Sequence, residues 1–254
     1  MGTQEEIRPA WYALGGGGWR DYVTLLHPPY TLWHLSYVAV GAALAPRFHT
    51  DRLVWAIAAF FLAMGIAAHA LDELHGRPLR TRIPSSMLVA LAVVSLAGSV
   101  AIGVGAAIAW GWGLLAFVAV GAALVPAYNL ELAFHNDVGF AVAWGAFPAL
   151  TGYFVEAQTI RVEAVAAAAF ALATSLADDI HRTWATVGLY GMAGAVAWSR
   201  VNDNRHWLTD VAAGALVGIT SAKLASGRWR IFGLRAPSLI AAPRGAGLGW
   251  SGQF

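Results

Sequence analysis

The chain has 254 residues, 58% hydrophobic and 12% charged, with 16 Lys+Arg against 14 Asp+Glu and no cysteine. Soluble domains carry roughly 25% charged residues, so this composition excludes an ordinary water-soluble domain. It also excludes disulfides, thiolate metal sites and thiol nucleophiles. The basic excess is arginine, with Lys223 the sole lysine; in a chain this apolar such residues orient membrane helices rather than bind nucleic acid.

Residues 1–29 open with Glu5 and Glu6 where a secretory signal has basic residues, so they are expected to form a cytoplasmic N-terminal segment. Apolar runs then recur near 30–46, 53–71, 86–106, 110–127, 138–155, 162–178, 183–199 and 206–224. A helix crosses the roughly 30 Å hydrocarbon core with about 20 such residues. The runs lack the alternation of an outer-membrane strand, and spanning segments must satisfy their own backbone groups. The expected fold is therefore all-α, a polytopic bundle of about eight transmembrane helices.

Abundant Gly and Ala suit close helix approach in lipid. Trp33, Trp112, Tyr153 and Trp207 fall near expected span ends, as an aromatic belt would. The loop from Leu71 to Arg82 carries three arginines, and the tail after Lys223 carries Arg228, Arg230, Arg235 and Arg244. Both are assigned to the cytoplasmic side with the N-terminus. Residues 226–254, rich in Gly, Pro and Arg, are expected to be a poorly ordered cytoplasmic tail.

Three polar clusters interrupt the apolar pattern. In HALDELHGRPLRTR, His69, Asp72 and Glu73 are three or four residues apart and share one helical face, with His75, Arg77, Arg80 and Arg82 following. Such a group is either a helix end with orienting arginines or a site for a cation and a diphosphate. In YNLELAFHND, Asn129, Glu131, His135 and Asp137 form either a solvated turn or, if the loops converge, the rest of that site.

The third cluster is SRVNDNRHWLTDVAAGALVG, Ser199 to Gly218. His206 and Asp210 lie four apart, so the carboxylate can accept a hydrogen bond from the imidazole Nδ1–H, fixing the tautomer and leaving Nε2 as a nucleophile. Arg200, with Arg205, can clamp an oxyanion.

Ser199, Arg200, His206 and Asp210 fit the third motif of the type-2 phosphatidic acid phosphatase superfamily, which this stretch and the preceding ALATSLADDIHRTWATVGLYGMAGAVAW resemble. The resemblance implies a phosphohistidine on His206, with Asp210 orienting it and Arg200 holding phosphate oxygens. Ser199 and Arg205 would assist binding, and no metal or cofactor is implied. Two family motifs have no counterpart. Arg77-Pro78 lacks a lysine seven residues before Arg77, and Pro84-Ser85-Ser86-Met87 stands closest to Pro-Ser-Gly-His, which supplies the general-acid histidine.

Residues 30–178 resemble, more loosely, the UbiA-like membrane prenyltransferases, through LDELHGRPLRTRIP and YNLEL…GFAVAWGAFPALTGYF. That resemblance implies an isoprenoid diphosphate held through Mg2+, with His69, Asp72, Glu73, Arg77, Asn129 and Glu131 as the alternative diphosphate site. The expected organisation is a cytoplasmic segment (1–29), UbiA-like helices (30–178), phosphatase-like helices carrying the Ser-Arg…His…Asp set (179–225) and the tail. The leading expectation is a membrane phosphatase acting on a lipid or isoprenoid phosphate. The alternatives are a prenyl-diphosphate-binding protein or prenyltransferase, and a non-catalytic membrane protein.

Overall fold

The computed structural model describes residues 10–179 apart from 11, 15 and 134, with further stretches at 187–188, 191, 238–242 and 245–249. Each of the six runs expected between residues 30 and 178 is a helix. After a short α1 (Trp19–Leu25) come α2 (Pro28–Ala43), α3 (Thr50–Leu74), α4 (Ser85–Trp110), α5 (Leu114–Asn129), α6 (Asp137–Ala157) and α7 (Val162–Asp179). Among the described residues, α3, α4 and α6 are long and apolar enough to cross a membrane, and α5 and the first 15 residues of α7 are shorter apolar helices. The 26 residues of α4 extend about 39 Å at 1.5 Å per residue. The expected spans at 183–199 and 206–224 lie outside the described residues.

Local chemistry sets the helix limits. Pro28 and Pro29 open α2, where a missing N–H costs nothing. Asn136 caps α6 by accepting from the Gly139 amide at 2.9 Å. Only four residues separate the apolar runs of α4 and α5. Gly111, at φ 153°, ends α4 there, and a Cβ at that position would collide with the Gln158 side chain.

Packing is tightest between α2 and α6. A Cβ on Gly41 would run into the Ala149 carbonyl oxygen, and one on Gly152 into that of Val38. Each helix thus presents a bare backbone to the other, which in lipid replaces the missing hydrophobic drive with van der Waals contact. α7 joins the same core. Gly145 of α6 faces Ala171 and Ser175, and the Tyr37 hydroxyl lies 2.8 Å from Thr174 Oγ1 while accepting from Trp33 Nε1 at 2.8 Å.

Two expectations are corrected. Trp33 and Tyr153 are core residues rather than belt residues; Trp33 is buried with Tyr37, Ala149, Ala167 and Ala171, and Tyr153 is fully buried. Trp112, in the α4–α5 turn, is exposed. The tail is not wholly irregular, because Ser238–Ala242 pairs antiparallel with Gly245–Gly249 as β1 and β2. Its Leu-Ile run favours a strand, and only two residues separate it from its partner.

Candidate functional site

At one end of the bundle, where α2 and α6 begin and α3 and α5 finish, a chamber of about 690 Å3 opens between the helices. It is built from four separate stretches of chain. His27 and His34 come from the start of α2, His69 and Asp72 from the end of α3, His75 from the next loop, and Asn129, Glu131 and His135 from the end of α5 and beyond. Among the described residues no lysine or arginine lines it.

Both flanking spans are widened beside the chamber. The backbone is π-helical over Phe61–Ala68 in α3 and Ala141–Ala146 in α6, and Met64, Ala68 and Trp144 from these stretches form its floor. Such wide turns often accompany functional sites. His69 Nδ1 donates to the Gly65 carbonyl, within the first of them, at 3.1 Å. That fixes its tautomer and leaves Nε2 as an acceptor.

His27 caps α2 in a left-handed conformation at φ 42°. Its ring stacks on His69 with centroids 4.3 Å apart, and its Nδ1 lies 2.5 Å from the Tyr12 hydroxyl. Burial, then the neighbouring His69, pushes the His27 pKa down to about 2, so this imidazole is neutral at ordinary pH. Burial, then Tyr30, raises the Tyr12 pKa, which keeps that hydroxyl protonated. His34 is buried against Trp33, ring centroids 5.0 Å apart, and its Nδ1 has no hydrogen-bond partner.

On the opposite wall, Pro126 lies in the last turn of α5, and the chain leaves the helix through Glu131 at φ 54°. Asn129 donates to the Val125 carbonyl at 2.6 Å. His135 Nδ1 donates to the Tyr128 carbonyl at 3.0 Å. Glu131 sits between two imidazoles, His75 Nε2 at 3.7 Å and His135 Nε2 at 3.8 Å.

The structure thus brings His69, Asp72, Asn129 and Glu131 together and separates Glu73 and Arg77 from them. Glu73 is 0% exposed. Its carboxylate accepts from the Leu79 amide at 2.9 Å and from the Thr81 amide and hydroxyl, each at 2.8 Å. Arg77 donates to the Ile83 carbonyl at 2.6 Å and to Ser85 Oγ at 2.8 Å. Both tie down the Gly76–Pro84 loop, which Asp21 anchors to α1 by accepting from the Arg82 amide at 2.9 Å. These two residues of the expected diphosphate site are therefore structural. Asp137 lies in the first turn of α6, where a carboxylate suits the helix dipole.

The chamber does not fit magnesium, which takes oxygen ligands, because its nitrogen donors outnumber its carboxylates. Among the described residues no three of its donors come together as metal ligands do. His27 and His34 were not among the expected site residues. Their spacing of seven, two turns on one face of an apolar helix, is the signal that could have found them.

The opposite end carries a second polar cavity, about 510 Å3, bordered by Arg47, His49, Arg52, Glu156 and Arg161. Glu156 Oε2 accepts from the His49 amide at 2.7 Å and lies 2.9 Å from its Nδ1. Arg52 donates to the Val155 and Glu156 carbonyls at 3.1 Å and lies over the Trp110 ring. Ser199, Arg200, Arg205, His206 and Asp210 lie outside the described residues.

Long apolar helices around a polar chamber define a helical membrane protein. Residues 159–230 match the model of the PAP2 superfamily, in agreement with the resemblance carried by Ser199, Arg200, His206 and Asp210. The match begins just before α7, and α7, its first helix, packs against α6 of the bundle. No curated protein and no solved structure matches the chain.

Proposed function

We propose that the chain is a multi-pass membrane phosphatase, with its N- and C-termini cytoplasmic, that hydrolyses a lipid or isoprenoid monophosphate through a phosphohistidine on His206. The observation that carries this reading is the PAP2 match over residues 159–230, which contains the whole Ser-Arg…His…Asp set. His206 Nε2 attacks phosphorus, the ester P–O bond breaks, and the lipid leaves as its alcohol. Water then cleaves the P–N bond and releases inorganic phosphate. Asp210 holds the imidazole tautomer, and Arg200 and Arg205 neutralise the phosphoryl oxygens.

The unmatched general-acid histidine leaves the departing oxygen to be protonated by solvent. That slows turnover by about 10²–10⁴-fold relative to a site with a placed acid. The unmatched lysine leaves room for other cations. An antiparallel span at 183–199 would return the chain from the Asp179 end of α7 to the end where Arg47 and Arg161 border a cavity. Those two arginines then stand on the membrane face that Arg200 and His206 require.

The prenyl-diphosphate alternative is weaker. The chamber has carboxylates and no described lysine or arginine, and Arg77 is spent on the loop. The experiment is phosphate release from phosphatidic acid by the full chain in proteoliposomes with a divalent-metal chelator present. Vanadate inhibition and complete loss in His206→Ala are expected. Hydrolysis that requires magnesium, or that survives His206→Ala, rejects the reading.

A further inference from the structure

A second cavity meets the polar chamber. It is a narrow apolar groove between α3, α4, α5 and α6, and Met64 and Trp144 line both spaces. From Met64 the groove runs to Trp55 along α3, nine residues, or about 14 Å at 1.5 Å per residue. Its far end lies beside Trp110 and Leu114, near the opposite ends of the helices. The groove has a volume of about 100 Å3 against about 690 Å3 for the chamber. A slender single chain suits the first and a hydrated polar head the second. A polar chamber and an apolar groove that share Met64 and Trp144 as a common wall lie end to end, the order in which an amphiphile's head and tail would need them.

The chamber decides the head. Asp72 and Glu131 are the carboxylates facing it, and among the described residues no lysine or arginine offsets them. His27 is held neutral by burial. A phosphate would meet two carboxylates and no fixed cation, an expensive burial. A hydroxyl finds acceptors in the Asp72 carboxylate and His69 Nε2.

We propose that the chamber and groove together bind a single-chain long-chain alcohol, its hydroxyl between His69 and Asp72 and its tail past Met64 and Trp144 into the groove. This site is separate from His206. Its link to the reaction rests on the phosphatase reading, in which hydrolysis of a lipid monophosphate releases an alcohol of this class.

The test uses the full chain in phosphatidylcholine nanodiscs with a hexadecan-1-ol bearing a terminal diazirine, photolysed and mapped by mass spectrometry. Labelling is expected at groove residues around Trp55 and Trp110. Excess hexadecan-1-ol should displace it and hexadecyl phosphate should not. Asp72→Asn should weaken labelling about tenfold, the loss of one hydrogen bond to a charged group. Gly121→Leu should block the groove while folding normally, because its Cβ meets Phe147 at an ordinary 3.4 Å. A monodisperse gel-filtration profile qualifies each variant. Labelling spread over the lipid-facing side of α4, displaced equally by the phosphate, or unchanged in both variants overturns the proposal. Labelling that persists in His206→Ala supports it whatever happens to hydrolysis. Hydrolysis that persists without labelling overturns the chamber and leaves the phosphatase reading standing.

Discussion

Replacing Glu73 by glutamine changes one oxygen to an amino group in a fully buried position. In the native chain, one carboxylate oxygen accepts from the Leu79 amide and the other from the Thr81 amide and hydroxyl. Glutamine can keep the Thr81 pair on its carbonyl oxygen. Its amino group then faces the Leu79 N–H, donor against donor, and that amide loses its partner. A buried unsatisfied donor costs about 2 kcal/mol. For a chain of this size that corresponds to a melting temperature lower by about 4–8 °C. Glu73→Ala orphans three donors and should cost up to about three times as much. The assay is thermal unfolding of the full chain in detergent, followed by tryptophan fluorescence. The loop that Glu73 secures carries His75 and Leu79 to the chamber wall, so alcohol labelling should fall in parallel. A Glu73→Gln melting temperature within about 1 °C of the native value, or an alanine variant no worse than glutamine, would refute this account of the loop. Loss of ligand binding without loss of stability would return Glu73 to the binding site.

Two further outcomes are expected. Gly41→Leu forces a side chain into the Ala149 carbonyl, which is backbone and cannot rotate away; it should cost at least about 3 kcal/mol and yield little monodisperse protein on gel filtration. His27 contributes a pH dependence: its folded pKa, about 2, lies below the ordinary 6.5, so the unfolded chain binds the extra proton between those values. Stability from this group is complete above about pH 6.5 and is lost on acidification, by about 2 kcal/mol between pH 7 and pH 5. His27→Gln should flatten the melting profile over that range, and an unchanged acid slope would exclude His27 as its source.

Much of the bundle was legible because helix formation is local. Six apolar runs of the right length became helices at nearly the expected bounds, and the WGWG break and the Pro28-Pro29 start follow from single residues. The phosphatase-like motif was legible for the same reason, since its four residues lie within twelve positions of chain. Chemistry drawn from distant segments was not. Nothing in HPPYTLWH says that His27 will stack on His69, 42 positions away. Glu73 and Arg77 looked like ligands because charge at a helix end invites that reading; their partners are backbone and hydroxyl groups of Leu79, Thr81, Ile83 and Ser85, brought to them by a loop whose path only packing decides. Trp33 and Tyr153 illustrate the same limit. Position along the chain put them at span ends, whereas the packing of α2, α6 and α7 against one another buries both rings. Sequence alone determined the membrane helices, because hydropathy and backbone satisfaction act segment by segment. Tertiary structure alone decided the chamber, because a site built from four stretches exists only once their helices share one end of the bundle.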